Sequence, residues 1–125
     1  MVKLVYVIRR REGLSAEEFR RYWLEVHAPK VINVAKDIRA RRYVQSHTLD
    51  TALNQAFAES RGLSPFYDGI TEVWWDSLDD LMAGASTPEG SAAYEMLLED
   101  EREFIDFAAS TIFMTEEHEI FDMTT

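Results

Sequence analysis

The stretch Leu14-Ser15-Ala16-Glu17-Glu18-Phe19-Arg20-Arg21-Tyr22-Trp23-Leu24-Glu25-Val26-His27-Ala28-Pro29-Lys30 decides how this chain is read. Gly13 breaks the segment before it, and Ser15 followed three residues later by Glu18 has the form of a capping box: the hydroxyl caps the helix start and the carboxylate reaches back. A helix therefore begins here. Phe19, Trp23, Val26 and the stem of Lys30, with Tyr22 alongside, follow three- and four-residue steps and so share one side of it. Pro29 has no N–H and a ring that crowds the preceding turn, and is expected to kink or locally break the helix.

Working outward, residues 2–8 are β-branched and aromatic with apolar side chains on both alternating faces, the pattern of a central strand covered on both sides. Ala40 to Thr48 alternates as a second strand, with Arg41, Tyr43, Gln45 and His47 on one face and Arg42, Val44, Ser46 and Thr48 on the other. The segment 49–67 is longer than an ordinary hairpin loop, and within it Ala52 to Glu59 suits a short helix ended by Gly62 and Pro65. Asp68 to Asp76 forms the third strand, and Ser77-Leu78-Asp79-Asp80 starts a helical turn. Thr87 as cap and Pro88 in the first turn open the second main helix, whose apolar stripe Tyr94, Leu97, Leu98, Phe104, Ile105 and Ala108 carries Glu101 in its middle. A last strand runs from about Ser110 to Met114.

The order strand, helix, strand, strand, helix, strand is the split βαβ arrangement of an α+β ferredoxin-like domain, with helices on one face of an antiparallel sheet. At 125 residues the chain is read as one domain, 1–125, with an extended insertion at about 49–67. Its 7 Phe, 5 Tyr and 3 Trp exceed what one small core needs, so some are expected at a pocket or a subunit interface. The open sheet face is expected to pair with a second copy.

A formal net charge of -10 repels phosphate backbones and anionic lipid, which argues against nucleic-acid and membrane-surface partners. The absence of Cys removes thiolate nucleophiles, disulfides and Cys-type zinc sites. The N-terminal apolar stretch is too short for a signal peptide and runs into Arg9, Arg10 and Arg11, so the chain is read as cytoplasmic.

The segment quoted first, in particular Leu14 to Phe19, Tyr22-Trp23 and His27-Ala28-Pro29, together with Asp68-Gly69-Ile70-Thr71-Glu72-Val73-Trp74 and the acidic run Glu101 to Asp106, resembles an EthD-family domain over almost the whole chain. The resemblance implies a homodimeric α/β barrel, in a superfamily that includes muconolactone isomerase and cofactor-free polyketide monooxygenases. It also implies a small apolar or aromatic ligand and chemistry without cofactor or metal. The insertion from Leu49 to Pro65 departs from the family pattern.

His27 is the first candidate for chemistry, because an imidazole with a pKa of about 6.5 takes or gives a proton at neutral pH. The alternative is a structural histidine bonded to a carbonyl that Pro29 leaves free. Asp68 and His47 flank the insertion at the facing ends of a hairpin, and a register pairing them also pairs Tyr43 with Glu72 and Arg41 with Trp74. An Asp68–His47 pair would orient a proton-transferring imidazole; alternatively Asp68 only shapes the turn before Gly69. Glu72, Trp74, Tyr43 and Trp23 are candidates for contact with the ligand.

Glu101 is an anomaly on an apolar face and is expected to be paired or protonated, at the ligand or in a structural contact. The remainder of Glu99 to Glu103 reads as a solvated charge face. Glu116, Glu117, His118 and Glu119 alternate across a strand and do not converge as metal ligands. Three functions compete: a cofactor-independent lyase or isomerase using His27 with Asp68, Glu72 or His47; a non-catalytic binding or accessory protein; and a cofactor-free monooxygenase.

Overall fold

The computed structural model describes residues 1–124. Ser15 and Glu18 form the reciprocal capping box, each side chain accepting the other's backbone N–H at 3.0 Å, and open helix α1 (Ala16–Tyr22). The expected kink at Pro29 takes another form. The helix widens into a π turn, Trp23–His27, in which the Ala28 N–H donates to the Trp23 carbonyl, and continues as α2 (Ala28–Val34). A wider turn just before Pro29 relieves the crowding between its ring and the carbonyl one turn back.

The π turn changes which residues face inward. At about 100° per residue, positions four apart on an α-helix drift by about 40° per step, so three such steps would spread over about 120°. The extra residue in the π turn takes back part of that drift. Phe19, Trp23, His27 and Val31 are all buried, while Val26, read as part of the apolar side, is 39% exposed.

Strands β1 (Val2–Ile8), β2 (Arg42–His47), β3 (Gly69–Trp75) and β4 (Thr111–Thr115) form one sheet in the order β2-β3-β1-β4, each pair antiparallel. With the main helices on one face, this is the α+β ferredoxin-like arrangement, β1 and β3 being central. The long connection after β2 carries α3 (Ala52–Arg61), capped by the Thr51 hydroxyl and ended by Gly62 in the left-handed conformation. None of the α3 residues is buried.

Short α4 (Leu78–Ala85) leads into α5 (Pro88–Glu101), capped by Thr87. The helix stops at Glu101 and does not extend through Ala108. Phe104 and Ile105 reach the core from the turn that follows, and Leu98 lies 44% exposed.

The hairpin register differs by one residue from the expected pairing. His47 stands opposite Gly69 rather than Asp68, Tyr43 opposite Val73 rather than Glu72, and Arg42, not Arg41, opposite Trp74. Because strand side chains alternate, a one-residue shift exchanges the faces of one strand relative to the other. Tyr43, Gln45 and His47 therefore share the helix-covered face with Gly69, Thr71, Val73 and Trp75. Glu72 and Trp74 occupy the opposite face with Lys3, Val5 and Val7.

Packing fixes this register: a Cβ on Gly69 would lie 2.5 Å from the Trp23 ring, so only glycine lets the indole rest on the strand. On the outer sheet face Ile70 and Phe113 are exposed, Ile70 beside a groove that Asn54 of α3 and Phe66 also border, and Ile120, Phe121 and Met123 of the C-terminal segment are exposed.

Candidate functional site

Three donors from the first helical segment converge on one carboxylate of α5. Asp100 accepts from the Tyr22 hydroxyl at 2.6 Å and the Lys30 ammonium at 2.7 Å, and its second oxygen lies 2.7 Å from His27 Nδ1. Burial works to raise the Asp100 pKa, but the hydrogen bonds from Lys30, Tyr22 and His27 outweigh it and hold the carboxyl below its ordinary range. An ionised carboxylate can only accept. The Nδ1 of His27 therefore carries the proton, and in the neutral ring Nε2 carries the lone pair. Burial lowers the His27 pKa from its ordinary value, opposed by the hydrogen bond and charge of Asp100, so the neutral form prevails at pH 7.

His27 borders a cavity of about 140 Å³ between the helices and the sheet, with walls that are mainly apolar. Trp23, Tyr43, Thr71, Tyr94 and Glu101 line it too. No other hydrogen bond to His27 is made among the described residues, which leaves Nε2 free at the wall. Burial pushes the Glu101 pKa up, the neighbouring Tyr6 hydroxyl partly offsets this, and the Asp100 charge reinforces it. Burial and the Glu101 charge in turn push up the Tyr6 phenol. The cavity thus holds a neutral imidazole with a free lone pair and a carboxyl biased toward its protonated form, the two kinds of group that take and give a proton.

The other sequence candidates lie elsewhere. Asp68 is held by Arg10, whose guanidinium and backbone N–H donate at 2.6 and 2.8 Å, and it makes no pair with His47. His47 Nε2 meets Gln45 Oε1 at 2.8 Å and its ring stacks on Trp23 at 4.5 Å, beside a separate surface groove. Glu72 pairs with Lys3 at 2.6 Å on the outer sheet face. There Trp74 donates its indole N–H to Glu117 beneath the Arg42 guanidinium. None of Asp68, His47, Glu72 and Trp74 borders the cavity of His27, whereas Trp23, Tyr43 and Glu101 do.

Asp100 is the residue that sequence reasoning passed over, as part of a solvated run. It is 5% exposed. A usable signal was present: Ala93, Leu97, Asp100 and Phe104 follow steps of four, three and four, and all four are buried. The stripe drawn through Leu98 and Glu101 was one position away from the buried face.

A family model for the EthD domain matches residues 11–108. The chain belongs to the EthD family. Within the matched segment, Trp23 and His27 begin and end the π turn and both line the cavity.

Among solved structures, this EthD domain is similar to an ethyl tert-butyl ether D family protein from Bacillus halodurans, at 23% identity and a TM-score of 0.62, covering 94% of this chain and 99% of that one. It is also similar to a dimeric ferredoxin-like protein of unknown function from Bacteroides fragilis, at 15% identity and TM-score 0.58, covering 93% and 95%. A third is SnoaB, a cofactor-independent oxygenase from Streptomyces nogalater, at 11% identity and TM-score 0.57, covering 98% and 97%. These likenesses establish the fold. No curated protein matches the sequence. Among the described residues no helix is long and apolar enough to cross a membrane.

Proposed function

We propose that this EthD domain is a cofactor-independent lyase or isomerase that moves a proton on a small apolar carbonyl compound, with His27 as the acid or base. The observation that carries the reading is the His27–Asp100 pair, 2.7 Å apart, with the other imidazole nitrogen left unpartnered at the wall of an apolar cavity. Asp100 fixes the tautomer and ring orientation and would stabilise the imidazolium formed when Nε2 takes a proton. Glu101 stands in the same cavity as the group able to donate to a developing enolate oxygen, and dry walls strengthen both interactions. Trp23 and Tyr43 bound the ligand.

The same reading includes a homodimer formed through the outer sheet face. Its support is the exposure of Ile70 and Phe113 on that face and of Ile120, Phe121 and Met123 in the C-terminal segment. The competing function is a carrier that uses the same cavity to bind without turnover. His27→Ala distinguishes them: loss of turnover with fold and assembly kept supports catalysis, and unchanged turnover removes His27 from the reaction.

A further inference from the structure

We propose that the Tyr43 hydroxyl donates a hydrogen bond to the carbonyl oxygen of the ligand in the His27 cavity, and that Gln45 is the residue that turns this hydroxyl toward it. This rests on the reading of the His27 cavity as the functional site and adds the group that meets the ligand's oxygen.

Donors and acceptors along one face of β2 fix where each proton points. Gln45 Nε2 lies 2.9 Å from the Trp23 carbonyl oxygen and 2.7 Å from the Tyr43 hydroxyl oxygen. A carbonyl only accepts, so the end of the Gln45 side chain that faces Trp23 is the amide nitrogen. That nitrogen has hydrogens for both contacts and no capacity to accept. Tyr43 is therefore the acceptor from Gln45, and its own hydroxyl hydrogen points elsewhere. Among the described residues no group accepts it.

The amide is held from its other end as well. Gln45 Oε1 only accepts, so His47 Nε2, 2.8 Å away, carries a proton and donates it. The His47 ring stacks on Trp23, whose carbonyl also takes the Ala28 N–H at the π turn. Gln45 cannot flip to offer its oxygen to Tyr43 without losing both of these contacts. Donation thus runs one way, from His47 through Gln45 to Tyr43, and a hydroxyl that accepts a hydrogen bond is a stronger donor in turn.

Tyr43 is half-buried on the helix-covered face of the sheet and lines the same cavity as His27 and Glu101. Burial raises its pKa against the hydrogen bond from Gln45, and the Glu101 charge adds to the rise, so the phenol keeps its proton at neutral pH. That the Glu101 charge acts on the phenol puts the hydroxyl end of the ring toward the cavity both residues line. When His27 Nε2 takes a proton from carbon, the C–H electron pair becomes the C=C bond of an enolate and the carbonyl π pair moves onto oxygen. Tyr43 keeps its proton, and its hydrogen bond strengthens as that charge grows. Return of the proton from His27 to carbon reverses both changes.

The test is infrared difference spectroscopy of the acetophenone carbonyl stretch, with acetophenone and toluene affinities from ligand-observed NMR, on the full chain and on Tyr43→Phe and Gln45→Glu. Acetophenone bound to wild type should show its stretch below the frequency in hexane. Tyr43→Phe should reverse most of that shift, weaken acetophenone roughly three- to tenfold, the size of one net hydrogen bond, and leave toluene unchanged. Gln45→Glu puts an acceptor where the amide donated, captures the Tyr43 proton, and should abolish the same shift with the tyrosine still in place. A stretch equally low in wild type and Tyr43→Phe, toluene weakened as much as acetophenone, or no saturable acetophenone binding at millimolar concentration each overturns the proposal. A wild-type shift in Gln45→Glu overturns the role of Gln45. The expected spectra with no exchange of the acetophenone methyl protons would overturn the catalytic reading and leave this inference standing; His27-dependent exchange with an unchanged stretch in Tyr43→Phe would do the reverse.

Discussion

His27 and Asp100 stand 73 residues apart in the chain and 2.7 Å apart in space, and their contact joins the first helical segment to α5 at the wall of the cavity. The contact ties the two elements together and fixes which imidazole nitrogen is free.

Asp100→Ala should therefore lower both stability and activity. Removing the carboxylate leaves His27 without its buried partner, while Lys30, whose side chain is 42% exposed, can turn to water. A loss of about 1–3 kcal/mol by urea denaturation is expected, the cost of leaving the buried neutral donor without an acceptor. Asp100→Asn keeps the volume but no longer requires Nδ1 to hold the proton. It should retain more stability than Asp100→Ala, yet still show an activity drop of about tenfold or more. Wild-type activity in Asp100→Asn would show that the tautomer is not set by this contact.

Burial lowers the His27 pKa, so below the unfolded-state value of about 6.5 the unfolded chain binds a proton that the folded chain resists. This contribution to stability is present above pH 6.5 and is lost as pH falls through the folded pKa. His27→Gln should flatten the fall in melting temperature between pH 7 and pH 5. An unaltered pH profile would mean that His27 titrates freely in the folded state.

Glu101 has the opposite sign. Its pKa is raised, chiefly by burial, so the folded state resists ionisation that the unfolded state accepts once pH rises above about 4.5. Glu101→Gln should raise the melting temperature at pH 7, and the gain should vanish near pH 4. Activity should fall in the same variant, since an amide cannot give up a proton.

Gly69→Ala should destabilise by about 1–3 kcal/mol, because the added methyl would lie 2.5 Å from the Trp23 ring and the indole has to move. Trp23 also lines the cavity, so ligand affinity should fall with it. A Gly69→Ala protein with wild-type stability and affinity would mean that the indole packs elsewhere.

Much of the fold was legible because it is written locally. The capping box at Ser15 and Glu18, the alternation in β1 and the Thr87-Pro88 helix start are each readable within a few residues. What was not legible depends on long-range packing. The β2–β3 register is fixed by Trp23 resting on Gly69, a contact that hairpin counting across a long connection does not include. The inward turn of His27 depends on a π turn that alters helical phase, and Asp100 is buried because three donors from another element meet it. A buried charge and a solvated one look alike in an acidic run, and only the partners distinguish them.

The proposed proton transfer at carbon next to a carbonyl by the free Nε2 of His27 can be followed without the natural substrate. Deuterium incorporation into the methyl group of acetophenone in D₂O near pH 7, followed by NMR, reads that step directly. Wild type should accelerate exchange above buffer, and His27→Gln should return it to the buffer rate while keeping fold and assembly. Exchange at the same rate in wild type and His27→Gln would contradict the account.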